Sequence, residues 1–316
     1  IRYQGATPVF VDSEMDTWNM DPDLLEEAIV DRITVGEGEE SSKPKAIVVV
    51  HLYGMPAKMD RILEIGEKYD IPVIEDSAEA FGSSIHGRKC GTYGKLSVLS
   101  FNGNKIITTS GGGALLGDDE KLIRKARFLA TQARDDAPHY QHSELGFNYR
   151  MSNIVAGIGR GQMKVLDKHV ELRRKNHEFY FENLGKSWLS DSPANNGSEP
   201  ENPFNYTSGT GVYFLKEPEG YFSNRWLTTV VINPDETGGI TREDVRTALE
   251  EQDIECRPLW KPMHLQPLYN GYPNYGNGVS DMLFEYGLCL PSGSNMTADD
   301  RERILYHLKE VLHLKQ

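Results

Sequence analysis

The sequence predicts an α/β protein, with a large domain around a mixed, mostly parallel sheet and a smaller C-terminal α/β domain. Two observations carry this expectation. In the first half, short β-branched apolar runs alternate with helical patterns of about 10–15 residues, the rhythm of a parallel sheet with crossover helices. The length, 316 residues, accommodates two domains at roughly 100–200 residues each, or one large α/β domain with an appendage.

The elements follow in order. Thr7–Val11 is short and apolar and reads as a strand. Asp21 is placed to cap a helix with Pro22 at its first position, and Leu24, Leu25, Ala28 and Ile29 follow at helical spacing. A polar loop from Gly36 to Lys45 leads to the buried-strand run Ala46–Val50. Asp60–Tyr69 reads as a helix and Pro72–Ile74 as the next strand. Ser97–Phe101 and Gly113–Leu116 read as two more, separated by a polar tract, and a helix follows over Glu120–Ala130. From Ser152 to about Leu184 the pattern predicts one long helix with Ile154, Ile158, Met163, Val165, Leu166 and Val170 on its apolar face. Placing the domain boundary within this helix gives 1–165 and 166–316, with 190–211 a long loop rich in Ser, Asn, Gly and Pro. Trp226–Ile232 reads as a strand; Thr241–Gln252 and Ala298–Leu314 read as helices.

Composition narrows the function. With 34 Lys and Arg against 47 Asp and Glu, the formal net charge is −13, which disfavours bulk electrostatic binding to nucleic acid or anionic membrane. No run of about 18 apolar residues predicts a membrane span. Cys90, Cys256 and Cys289 are widely spaced, with no CxxC pair, which argues against a disulfide framework or structural zinc and for a reducing, cytoplasmic setting. The chain opens Ile1-Arg2-Tyr3-Gln4-Gly5-Ala6 and reads as the interior of a longer protein.

Two residues stand out chemically. Asp76 is expected just past the C-terminal end of a strand, where open α/β sheets bind ligands. Lys105 lies in a polar turn between two buried strands, placed to reach the same rim partly desolvated. One carboxylate and one amine at such a rim suit pyridoxal phosphate (PLP). The lysine forms the Schiff base, and the aspartate keeps the pyridine nitrogen protonated. A capping aspartate and a solvated lysine would use the same two residue types.

The flanking residues add a resemblance. Glu75-Asp76-Ser77-Ala78-Glu79-Ala80 and Ser100-Phe101-Asn102-Gly103-Asn104-Lys105, with Ile106-Ile107-Thr108-Thr109-Ser110-Gly111-Gly112-Gly113, resemble signatures of the DegT/DnrJ/EryC1/StrS family. So do His51-Leu52-Tyr53-Gly54-Met55-Pro56, Gly146-Phe147-Asn148-Tyr149-Arg150-Met151-Ser152-Asn153, His264-Leu265-Gln266-Pro267 and Leu290-Pro291-Ser292-Gly293. The likeness runs in order along essentially the whole chain. It implies a PLP-dependent sugar aminotransferase of fold type I, the aspartate-aminotransferase fold. Within the family, Asn102-Gly103-Asn104, Ser110-Gly111-Gly112-Gly113, Glu79, Thr131-Gln132-Ala133-Arg134 and Arg257-Pro258-Leu259-Trp260-Lys261 are similar to the UDP-N-acetylbacillosamine pathway enzymes. Those enzymes aminate C4 of a UDP-2-acetamido-2,6-dideoxy-4-keto-hexose.

The resemblance implies a role for each matching position. Lys105 would be the Schiff-base lysine and proton shuttle, and Asp76 the partner of the pyridine nitrogen. Ala78 would pack on one ring face, and Ser100 would bind the phosphate. Asn148 would reach the phosphate of a neighbouring subunit, making a homodimer part of the site. Glu79 replaces the family's usual Gln near the ring hydroxyl, where a carboxylate would repel a phenolate. The family's Ser-Gly-Thr helix start, a further phosphate site, is not among these residues. Glutamate would be the amino donor, leaving 2-oxoglutarate, and a nucleotide-linked keto sugar the acceptor.

Other residues have plainer readings. Gly111–Gly113 suits a strand-entry turn with close backbone approach, in the absence of a P-loop context. His139 and His142 read as a surface pair. His264 suits either a substrate contact or a structural hydrogen bond. Arg225 and Lys261 suit a substrate diphosphate or solvated surface, Trp226 the core, and Arg150 a loop anchor. Sugar dehydratases of this fold carry His in place of the lysine, so Lys105 argues for amination. A non-catalytic binding protein is the other alternative, and the intact Asp76–Lys105 pair argues against it.

Overall fold

The structure is a computed structural model and describes residues 1–34, 43–188 and 210–315. Residues 190–209 of the expected loop 190–211, and most of the loop from Gly36, fall outside these residues.

A four-stranded sheet positions the expected site. Its order is Ile47–Val50, Val73–Asp76, Leu96–Ser100, Gly113–Leu116; the first three strands are parallel and the last is antiparallel to its neighbour. The Val-rich strand Ile47–Val50 follows from β-branched propensity, and alternation puts Ile47 and Val49 on one face and Val48 and Val50 on the other. The first face is covered. Met59, Ile62 and Ile65 of helix Met59–Lys68 pack there with Leu25 and Ile29 of helix Pro22–Thr34 and with Ile47, Val49 and Val73. Each fully buried side chain of this kind contributes about 1.5–3 kcal/mol. The second face is open: Val48, Val50 and Leu115 are each 38% exposed. Register puts Val50, Asp76, Val98 and Leu115 side by side on it, with Ser100 two residues beyond Val98.

The second sheet lies in the C-terminal half, in the order Arg257–Pro258, Gly287–Leu290, Thr228–Ile232, Val212–Leu215, Lys186–Trp188. Its pairings are antiparallel except the last. Helices Leu166–Leu184, Arg242–Glu250 and Ala298–Val311 supply Tyr180, Leu184, Val245, Leu249, Ile304 and Leu308 to its core. A further apolar cluster spans both halves, joining Trp18, Tyr53 and Met55 to Tyr213, Leu215, Val231 and Leu259. Among the described residues no helix is long and apolar enough to cross a membrane, and the three cysteines are free and buried.

Three elements differ from the sequence expectation. The long helix is two, Asn153–Met163 and Leu166–Leu184. Between them Lys164 and Val165 donate to the carbonyls of Gly161 and Gln162, three-residue closures that end the α-helical ladder. The first helix buries none of its residues, and Ile154, Ile158 and Met163 are exposed. The first strand, Phe10–Val11, pairs in parallel with Asn274–Tyr275 and not with the main sheet. Asp12 anchors it there, accepting the backbone N–H groups of Asn277, Gly278 and Ser280 at 3.0, 2.9 and 3.0 Å. The strand expected to begin at Trp226 begins at Thr228.

Glu75, one residue before Asp76, faces the covered side and is fully buried. Oε2 accepts from His51 Nε2 at 3.0 Å and Gly91 N–H at 2.8 Å, and Oε1 accepts from Tyr93 N–H at 2.6 Å and Gly94 N–H at 2.7 Å. His51 Nδ1 accepts the Ala57 N–H at 3.0 Å, so the ring proton is on Nε2. Burial pushes the Glu75 carboxyl up, but His51 and the Gly94 and Gly91 amides outweigh it and hold the carboxyl below its ordinary 4.5. In Glu75→Gln, either amide orientation sets an NH2 against two donors. The expected loss is about 3 kcal/mol, read by denaturant unfolding at neutral pH. A lowered carboxylate stabilises fully above its unfolded pKa and loses this as pH falls through the folded value. The difference between wild type and variant should therefore shrink below pH 4.5; a difference that is constant with pH would refute the ionised network.

Candidate active site

Asp76 is the last residue of its strand, and the Ala78 N–H donates to its Oδ1 at 3.1 Å. Ser100 ends the neighbouring strand, its Oγ accepting only a 3.3 Å bond from the Asn102 N–H among the described contacts. Beyond it the chain runs out past the rim and returns. Phe101 N–H donates to Gly112 O, Thr109 N–H to Phe101 O, and Lys105 N–H to Asn102 O, at 3.0, 2.9 and 3.1 Å. The return requires glycine at 113, where a Cβ would lie 2.4 Å from the Leu99 carbonyl oxygen. Gly111–Gly113 is thus a strand-entry turn, as expected.

Lys105 lies in this excursion between the two strands, its side chain 13% exposed. Its Nζ lies 3.3 Å from Glu79 Oε1 and 4.2 Å from the centroid of the Trp226 ring. Such a cation over an indole face is worth about 0.5–2 kcal/mol, more as water is excluded. Glu79 Oε2 accepts the Tyr53 N–H at 2.8 Å. Burial raises the Glu79 pKa above 4.5; Lys105 and the Tyr53 amide oppose this, and the nearby Asp76 charge adds to it. The structure therefore gives Glu79 a partner that sequence alone did not supply.

Trp226 is buried, as expected, but it lies at the site and not within a strand. Its Nε1–H donates to the carbonyl of Asn104 at 2.8 Å and its backbone N–H to Asn224 Oδ1 at 2.8 Å. Its carbonyl accepts from Arg173 of helix Leu166–Leu184. Asn224, fully buried, donates from Nδ2 to the carbonyls of Glu79 and Phe81 at 2.8 and 3.0 Å. Its N–H donates to Ser83 Oγ at 2.9 Å, and that hydroxyl donates to Gly54 O at 2.7 Å. Gly54 has φ 93°, and a Cβ there would fall 1.9 Å from Asn224 Oδ1. Sequence reasoning passed over Asn224. The available signal was a polar residue just before a Trp at a strand entrance, which many loops share.

Other expected residues lie apart from this cluster. Arg225 is buried with φ 49°, its Nη1 donating to the Leu215 carbonyl at 2.9 Å and its Nη2 3.9 Å from Glu217. Burial, partly offset by Glu217, pushes its pKa down to about 10. Its Nη1 is thus turned into the protein while its Nε has no hydrogen-bond partner among the described residues, and the solvated-surface alternative does not hold for this buried side chain. His264 Nε2 lies 2.7 Å from Asp281 Oδ1. Lys261 is exposed and follows Trp260, whose ring centroid is 6.4 Å from that of Trp226. Asn148 is exposed, bridged to Thr131, and Arg150 is exposed beside it. His139 and His142 hydrogen-bond Gln141 and the Gln132 carbonyl on the surface. No cluster able to hold a metal occurs among the described residues.

The donor set suits a planar pyridine cofactor with an anionic arm. A carboxylate and a hydroxyl, Asp76 and Ser100, end adjacent strands on one open sheet face, and the Lys105 amine lies 3.3 Å from Glu79, three residues after Asp76.

Comparison with known proteins agrees. The family model described as the DegT/DnrJ/EryC1/StrS aminotransferase family matches residues 1–309. The chain is 45% identical over 317 aligned positions to the protein designated a pyridoxal phosphate-dependent aminotransferase, EpsN, of Bacillus subtilis (strain 168), covering 99% of this chain and 74% of that one. It is 35% identical to GDP-perosamine synthase of Caulobacter vibrioides, covering 99% and 75%. A crystal structure of a DegT/DnrJ/EryC1/StrS aminotransferase from Brucella abortus superposes with TM-score 0.79 at 26% identity, over 96% of this chain and 73% of that one. The chain belongs to the DegT/DnrJ/EryC1/StrS aminotransferase family, and it is a pyridoxal phosphate-dependent aminotransferase.

Proposed function

We propose that the protein moves the amino group of L-glutamate to C4 of a UDP-linked 4-keto-6-deoxy amino sugar, UDP-2-acetamido-2,6-dideoxy-4-keto-hexose. The catalytic part is supported by Asp76 and Ser100 at the ends of adjacent strands on one open sheet face, and by the Lys105 amine 3.3 Å from Glu79, three residues beyond Asp76. Sugar specificity is supported by the sequence likeness around Lys105 and by relatives that include a sugar-nucleotide synthase. That relative's GDP-linked product favours a second reading, amination of a GDP-linked keto sugar by the same residues.

Bound at this rim, the cofactor supplies an electron sink for the carbon that loses or gains a proton. The residues do the rest. The Asp76 carboxylate, on the last residue of its strand, holds a proton at the pyridine nitrogen. The Ser100 hydroxyl donates to the phosphate arm, and Ala78 leaves one ring face free for close packing. Lys105 carries the proton between donor or acceptor carbon and cofactor, as a base in one direction and an acid in the other. Glu79 holds the lysine amine near the rim while it is unbonded. In this reading Asn148 reaches the site of a second copy, and the two-domain division falls near residue 165.

Two outcomes test the reading. Lys105→Ala should bind PLP without the covalent link that borohydride fixes in wild type, and turnover should fall by about 10²–10⁴-fold. Retained turnover would refute the catalytic assignment. With glutamate as donor, kcat/KM measured on UDP-, GDP- and dTDP-linked 4-keto-6-deoxy sugars should be highest for the UDP-2-acetamido sugar. A GDP-linked sugar leading the panel would establish the second reading instead.

A further inference from the structure

We propose that Trp226 is a positioning residue for Lys105, its indole holding both the backbone and the amino group of that lysine. The proposal rests on the reading of Lys105 as the catalytic lysine.

The indole meets Lys105 twice. Its Nε1–H donates to the Asn104 carbonyl at 2.8 Å, fixing the peptide unit that leads into Lys105. Its π-face lies 4.2 Å from Nζ, fixing the far end of the four-carbon stem. Glu79 Oε1, 3.3 Å from Nζ, supplies the other contact, so the amine sits between a carboxylate and an aromatic face. On the following side of the turn, the Ile106 carbonyl is bonded by His169 Nδ1 at 2.9 Å. The lysine is therefore held before, after and at its tip.

The ring is itself held closely. The Trp226 N–H is bonded to Asn224, the carbonyl to Arg173 and the indole N–H to Asn104. Its side chain packs with Ile106, Ile107, Leu166 and Val170. The backbone on either side of the cluster adopts the left-handed region at two non-glycine residues, Tyr53 at φ 57° and Arg225 at φ 49°. Such conformations persist only where surrounding contacts impose them. Here they set the Tyr53 amide on Glu79 and Trp226 beneath Lys105. A core tryptophan needs a partner for its indole N–H, but it requires neither the face-on amine nor the strained turn before it.

The test begins with cofactor-free protein treated with trinitrobenzenesulfonate at one fixed pH, following the Lys105 peptide by mass spectrometry. Trp226→Leu should speed modification of Lys105 by about five- to tenfold, whereas Trp226→Phe, which keeps an aromatic face, should stay within about twofold of wild type. A folded Trp226→Leu protein with wild-type reactivity, or a Phe variant as fast as the Leu variant, overturns the proposal. Because truncating a core tryptophan can prevent folding, a second measurement leaves Trp226 in place. Lys105→Met removes the charge and keeps the stem. Proton–nitrogen NMR of the cofactor-free protein should then show the Trp226 indole N–H shifted; an unshifted Trp226 signal overturns the proposal. Loading wild type with PLP and fixing the link with borohydride separates the two levels. A link on another lysine removes the catalytic reading and the positioning role together. A link on Lys105 with negative results above removes the positioning role alone.

Discussion

The buried Glu75 carboxylate is the constraint on which the rest of the site depends. It receives the imidazole N–H of His51 and three backbone N–H groups from the 91–94 turn. The other ring nitrogen of His51 receives the Ala57 amide. One ionised side chain thus ties a central strand to the turns on both sides. A charge so enclosed is tolerable only because its lone pairs are filled, and losing any one donor would expose the desolvation cost. The strand end carrying Asp76 is held by this node from below.

Glu75 and Asp76 show how a sheet turns one sequence motif into two functions. They are adjacent acids, and the two-residue period of a strand sends them to opposite faces. Glu75 goes to the face covered by helix Met59–Lys68, where it becomes structure. Asp76 goes to the open face, beside Val98 and in line with Ser100, where it remains available to a ligand. The same face leaves Val48, Val50 and Leu115 partly exposed, unusual for parallel strands, which are commonly covered on both sides.

The C-terminal half does more than enclose the first. Its strand Thr228–Ile232 is entered through Asn224, Arg225 and Trp226, and these residues reach into the first half's turns. Asn224 bonds the carbonyls of Glu79 and Phe81, and Trp226 bonds that of Asn104. The carboxylate turn and the lysine turn are thereby referenced to one short segment more than a hundred residues away in sequence. Such coupling keeps the Lys105 amine within a small range of positions, which is what proximity effects would demand of a reacting group.

The sequence by itself determined the strand–helix alternation of the first half, the capping of helix Pro22–Thr34 by Asp21 and the glycine turn before Gly113–Leu116. These are local matters of propensity, capping and steric room. It also singled out Asp76 and Lys105, and the family resemblance added Ser100, because motif spacing along a chain survives folding. Tertiary structure alone decided the rest. Helix Asn153–Met163 ends where two closures interrupt the ladder. Strand Phe10–Val11 finds its partner at residues 274–275. Arg225, chemically suited to a phosphate, is buried against Leu215 and Glu217, and Trp226, readable only as core, lies beneath the lysine. Each of these depends on which distant backbone approaches, and residue type and periodicity carry no record of that approach.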